Sequence, residues 1–402
     1  MNRTRGVVSG FRRPGDGNHS RPLLRFWAAA TVSELGTHVT TLAIPTLVLL
    51  TLHGSNTDVG VLSAARWLPY LLFGLIMGVL VDRCRRLPIL VTADIGRAVL
   101  LTLTALFVRD VPTLAVMLAL MGLLSLGHDV ASQSLLPRLV TTDRLPTANA
   151  RLAQTGSAAA ATGPLVGSAL VKALGAPLSM VLDAVSYLVS GLLLATLRVS
   201  EPPPSRERST VSEGLRWVYR HPTLAPLAVN THVWMIFSAA VGAVYPGYAL
   251  TVLGMSVPQL GFTYACAGVG GVLGGAVSTW AVRRLAVGRL CVLSWFVVPV
   301  AIAGMAVVAD WRGAAAAQFL FWVCIGVESP PAVTHRQSVT PDRLQGRTNA
   351  TIRSLNWGMV TVGAPLGGLL ADNVGPRTTL SVAAAGFVVV AVSLARSRFR
   401  LV

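Results

Sequence analysis

Lysine is nearly absent: of the 33 basic residues only Lys172 is a lysine. No glycine-rich loop ending in Gly-Lys can therefore cradle nucleotide phosphates, which argues against ATP-driven work. His-Glu-x-x-His and Gly-x-Ser-x-Gly are missing too, and with them two common frames for hydrolysis. Charge is scarce, 12% of 402 residues against about 25% in soluble domains. The four cysteines, Cys84, Cys266, Cys291 and Cys324, show no metal-ligand spacing, so no metal, zinc site or disulfide is expected.

Hydrophobic residues fill the gap, at 53% of the chain. Apolar stretches of about 20 residues each suit a bilayer-crossing helix. Twelve are predicted, over 25–51, 59–81, 88–108, 113–135, 147–171, 178–197, 226–252, 259–282, 289–309, 314–335, 347–371 and 378–395. The expected fold is an all-α polytopic membrane protein of two pseudo-symmetric six-helix bundles, 25–197 and 226–395. Cytoplasmic tails (1–24 and 396–402) flank them and a cytoplasmic linker (198–225) joins them. The tail 1–24 lacks the apolar core and cleavage site of a signal peptide. Within the linker, 213–220 suits a short amphipathic helix at the membrane surface.

A net charge of +17 would suggest nucleic acid in a soluble protein. Here its distribution decides. Apart from Arg109, Lys172, Arg312 and Arg377 on one side, and Arg66 and Arg97 within spans, every basic residue falls in the tails and loops of the other side or in the span ends that adjoin them. The positive-inside rule makes that side cytoplasmic, with both termini on it. The expected partners are lipid, a small-molecule substrate and protons, with no nucleic acid; the chain is expected to be a monomer in the cell membrane.

The halves repeat. Gly127-His128-Asp129 is echoed by Gly326-Val327-Glu328, Asp143-Arg144-Leu145 by Asp342-Arg343-Leu344, Asn149-Ala150 by Asn349-Ala350, and Gly163-Pro164-Leu165-Val166-Gly167 by Ala364-Pro365-Leu366-Gly367-Gly368. Parallel repeats of six spans place a substrate site between the halves near the membrane midplane. Between the second and third spans lies a charged hairpin, Gly78 to Arg86, with Asp82 closing one helix and Arg83, Arg85 and Arg86 following.

On these residues the chain resembles the major facilitator superfamily over about residues 21–398. The hairpin matches its signature loop. Gly156 with Gly163, Pro164 and Gly167 is similar to the antiporter motif of its drug and metabolite exporters, though Ser168 stands where a further glycine is common. The segments 129–134 and 346–350 are similar to the branch containing enterobactin and macrolide exporters. The second half has Arg283-Arg284 but no acidic match to Asp82. The resemblance implies a conformational latch of Gly78, Asp82, Arg83 and Arg86, extended by Asp94 and Arg97, that holds the cytoplasmic ends together when the transporter opens outward. Asp82 lies at the C-terminus of its helix, where the helix dipole disfavours a carboxylate. Its partner would be Arg83, Arg86 or the N-terminus of the eleventh span.

Carboxylates inside spans are costly and point to function. Glu34, Asp129 and Glu328 are the candidates for carrying a proton; alternatively Asp129 and Glu328 pair with Arg66, His128 or backbone. Trp234, Phe237, Tyr245, Phe319 and Trp322 are candidates for lining the substrate cavity, with interfacial anchoring as the other reading. Pro164 and its glycines would bend the fifth span. The sequence thus points to a secondary transporter exporting a small organic molecule by proton antiport, with no cofactor and no catalytic residues. An importer of the same fold is the nearest rival; a membrane enzyme or receptor is more distant.

Overall fold

The computed structural model describes residues 20–141, 144–199 and 211–402. Helices α1 (Ser20–Thr46), α2 (Asn56–Asp82), α3 (Arg86–Phe107), α4 (Val111–Leu139) and α5 (Leu145–Ala195) form the first half. A short α6 (Val211–Arg220) leads to α7 (Leu224–Gly247), α8 (Val257–Ala281), α9 (Val287–Val307), α10 (Trp311–Val339), α11 (Gln345–Val374) and α12 (Pro376–Arg396). Among the described residues ten helices are long and apolar enough to cross a membrane. The 51-residue α5 crosses twice, because Gly175 at φ 80° breaks its helical dihedrals between the fifth and sixth spans. The twelfth crossing is α11, whose Arg347, Asn349, Arg353 and Asn356 lower its hydropathy. The chain keeps helical dihedrals through Pro164.

The repeat extends to backbone detail. Both α1 and α7 end in a π-helical turn, Leu47–Thr51 and Tyr248–Val252. A residue with positive φ follows each, His53 at 50° and Gly254 at 61°. Next comes a capping box. The Ser55 N–H donates to Asp58 at 2.7 Å, and the Ser256 N–H to Gln259 at 2.8 Å. Asp110 and Asp310 then N-cap α4 and α10, accepting from Thr113 and Gly313 at 2.8 and 2.9 Å. Gly175 has its counterpart in Gly375, φ 88°. Each pair is 200 or 201 residues apart, the spacing of the sequence repeat.

The two halves pack their interiors differently. The second has one large core through Trp234, Tyr245, Trp295, Phe321 and Phe387, with three small clusters beside it. The first has one cluster around Leu62, Leu101, Leu118 and Tyr187 and another around Phe26, Leu90, Leu135 and Leu194. A polar layer separates them. In it Arg97 pairs with Asp94 one turn away and lies 4.4 Å over the Tyr187 ring, while the Ser190 hydroxyl donates to Asp94 at 2.6 Å. His128 is 3.6 Å from the same carboxylate. Asp94 and Arg97, expected to extend the hairpin network, thus belong to the first half's interior.

Candidate functional site

Small residues decide where the halves meet. On the face away from the chain termini, a Cβ at Gly60 would strike the Ala364 carbonyl at 2.3 Å, one at Gly368 the Asn56 carbonyl at 2.3 Å, and one at Gly261 the Ser168 hydroxyl at 2.1 Å. Midway, a Cβ at Gly268 would strike the Ala160 carbonyl. Toward the face carrying the termini, Gly78, Gly156, Gly275 and Gly346 meet nothing within 4 Å. Helices α2 and α11 stay in contact as far as Gly74, where a Cβ would strike the Ser354 side chain, and part only beyond it; α5 and α8 touch at Gly261 and Gly268, with open space at Gly156 and Gly275. Within the motif of the fifth span, Gly163 packs on His38, Gly167 on the Val39 backbone, and the Pro164 carbonyl on Gly261. Those contacts bind α5 to α1 and α8.

One carboxylate secures the closed end. Asp372, in the last turn of α11, accepts from the Asn56 N–H (3.1 Å) and side chain (2.9 Å), and from the Thr57 N–H (2.8 Å) and hydroxyl (2.6 Å). It thereby caps the N-terminus of α2, where orphan amides and the helix dipole favour an anion. At the parted end, Gly78 and Val79 face Arg343, Gly346 and Arg347 across a cavity of about 490 Å³. This is where the expected latch would engage. The Asp82 side chain lies outside the described residues, Arg83 is exposed and Arg86 is buried.

Near this end α6 docks on α11 and α7. Glu213 pairs with both Arg343 and Arg347, Gly214 sits against the Arg347 backbone, and Val218 is fully buried. The Tyr219 hydroxyl and His232 Nε2 are 2.7 Å apart, and His232 Nδ1 is 2.7 Å from Asn356. The linker helix is thus integrated into the second half rather than lying loose on a membrane surface.

Between the halves lies a larger cavity of about 900 Å³. Of the aromatic candidates, Trp234, Tyr245 and Trp322 line it. Phe237 instead packs on Phe387 and Gly386, and the Phe319 backbone lies against Gly270. Sequence reasoning missed Trp67 and Trp357, which stack across α2 and α11 with ring centroids 4.2 Å apart, together with Tyr264, Trp295 and Phe321. The available signal was hydrophobic periodicity, which does not distinguish a cavity wall from a lipid-facing surface.

The three acids occupy different surroundings. Glu34 is exposed and makes no hydrogen bond or ion pair among the described residues; Asp129, Arg66 and Arg97 are the charges that act on it. Asp129 bridges the halves. It accepts from Arg353 on α11 at 2.6 Å and from the Tyr70 hydroxyl at 2.9 Å, rather than pairing with Arg66 or His128. Glu328 lines the large cavity beside the Trp295 indole, with no ion pair among the described residues. Of the other intramembrane acids, Asp183 is buried and accepts from Thr40 and Ser186.

Comparison with known proteins agrees with this architecture. The chain is 27% identical over 402 residues to the multidrug efflux pump Tap of Mycolicibacterium fortuitum, covering 94% of this chain and 96% of Tap. It is 26% identical over 261 residues to the enterobactin exporter EntS of Salmonella choleraesuis, covering 64% and 63% of the two chains. A bacterial homolog of the human lysosomal transporter Spinster, solved inward-facing and unoccupied, superposes with a TM-score of 0.78 at 15% identity, covering 96% and 98%. A variant of the nucleoside transporter NupG does so with 0.80 at 10%, covering 93% and 99%. The Major Facilitator Superfamily model matches residues 26–363. With its duplicated six-span halves and the cavity between them, this chain belongs to the major facilitator superfamily.

Proposed function

We propose that this transporter exports a small organic molecule across the cytoplasmic membrane in exchange for protons, by alternating access of halves 25–197 and 226–395. The observation that carries the reading is the Asp129–Arg353 pair, an ion pair between the halves beside a cavity that also holds Glu328. Protonating Asp129 would remove the charge that holds Arg353, and so link proton uptake to separation of the halves. Glu34, without an ion pair among the described residues and under the influence of Asp129, is the first candidate for the proton carrier. The named exporters among the relatives support the outward direction. The basic, terminus-bearing side is the cytoplasmic one under the positive-inside rule, so the conformation described here is inward-facing.

The test is reconstitution in proteoliposomes with an imposed pH gradient and a panel of drug-like and siderophore-like compounds. Substrate-dependent proton flux, with uphill substrate movement abolished by a protonophore, is expected. Substrate movement unaffected by collapsing the gradient would sink proton coupling, and co-directional movement of proton and substrate would favour an importer.

A further inference from the structure

Helix α10 carries two charged side chains into the large cavity, Glu328 and Arg336. Neither makes an ion pair among the described residues. The other charged lining residue, Arg353, is neutralised by Asp129. Arg336 sits in the last turn of α10, where the helix dipole favours a cation, but that position does not account for its orientation. Arg336 lines the cavity, and its Nε is buried without a hydrogen-bond partner among the described residues. Eight residues separate the two charges, about 12 Å of helical rise. The Trp295 indole lies beside Glu328, Trp234 stacks on Trp295, and Phe321 stacks on Trp234 along the same cavity. An acid against aromatic faces suits an organic ammonium, which gains both the ion pair and ring contacts.

We propose that the cavity is built for an amphoteric organic molecule with an apolar or aromatic body. Its ammonium docks at Glu328 and its carboxylate, or an equivalent anion, at Arg336. An ion-paired carboxylate can bind the Arg336 guanidinium through two parallel hydrogen bonds. The two uncompensated charges then have a common cause: each is the counter-charge to one end of the ligand. This rests on the transporter reading above but not on the direction of transport.

The experiment measures equilibrium binding to the purified full chain in detergent, by quenching of tryptophan fluorescence. The probes are ciprofloxacin, which is zwitterionic at neutral pH, its methyl ester, which lacks the anion, and its N-acetyl derivative, which lacks the cation. Wild type should bind the zwitterion about tenfold or more tighter than either derivative, as expected for loss of one charge-assisted hydrogen bond. Arg336→Gln should erase the preference over the ester alone, and Glu328→Gln the preference over the N-acetyl derivative alone. Arg336→Lys and Glu328→Asp should restore each preference in part, which separates charge recognition from misfolding. Equal binding of all three probes, binding of none, or loss of both preferences in one neutral variant overturns the proposal. Preserved discrimination without any export would sink the export reading and leave the site; proton-driven export without discrimination would do the reverse.

Discussion

At the scale of single residues, what distinguishes the intramembrane acids is the partner each finds. Asp94 is fully buried with Arg97, and removing one member of a buried pair leaves an uncompensated charge. Asp94→Asn should therefore destabilise the chain by about 3–5 kcal/mol, seen as a large drop in folded yield and in the midpoint of thermal unfolding. Asp129 and Arg353 are about a third exposed, at 34% and 39%, so solvent screens their attraction. Here Asp129→Asn or Arg353→Gln should cost no more than about 1 kcal/mol of stability. Transport should nevertheless change, and the double variant should be no worse than the stronger single, because both remove the same contact. Additive losses in the double variant would show that the two act separately. The Asp94–Arg97 pair could be read from its one-turn spacing, whereas the 224 residues between Asp129 and Arg353 left no local signal of their contact.

At the scale of elements, α2 and α11 carry complementary charges at their two ends. Asp372 of α11 caps α2 at the closed end, and the fold places the C-terminal end of α2 opposite the N-terminal turns of α11 at the parted end. Losing a capping carboxylate costs about 1 kcal/mol, which is roughly a fivefold change in the balance between two states. Asp372→Ala should thus favour opening of the capped face. A cysteine replacing the cavity residue Ser63, in a cysteine-free background, should then react about fivefold faster with an impermeant maleimide applied from that side. An unchanged rate would remove Asp372 as a clamp. For α6, the hydrogen bond from Arg343, with the charges of Arg343 and Arg347, holds Glu213 below the usual carboxylate range. A depressed carboxylate stabilises docking above its unfolded pKa and loses that contribution as pH falls through its folded one. A label-to-label distance between α6 and α11 should therefore stay constant from about pH 8 to 5 and lengthen only in stronger acid; lengthening near neutrality would point to a different anchor. The twelve spans were legible because lipid demands long apolar helices. The docking of α6 was not, since amphipathicity suits a membrane surface and a protein groove equally.

At the scale of the whole molecule, the repeat was legible in sequence and reappears in the paired π turns, capping boxes and positive-φ residues. The sites broke that symmetry. Asp129 and Glu328 are equivalent by repeat, yet one bridges the halves and the other faces the cavity beside the Trp295 indole. Three amide variants turn that asymmetry into a test of coupling, since an amide keeps the size of a carboxylate but cannot exchange a proton. Glu34 has no partner to lose among the described residues, so Glu34→Gln should leave folding and downhill exchange intact while abolishing uphill export driven by pH. Asp129→Asn should release Arg353 and alter the rate of both activities. Glu328→Gln should weaken both through substrate affinity, an effect that higher substrate concentration offsets. The measurement is paired counterflow and pH-driven export in proteoliposomes at several substrate concentrations. If all three variants sustain pH-driven export, none of these acids carries the coupling proton. If Glu34→Gln loses exchange and export together, its role is in the cycle itself rather than in the proton's passage.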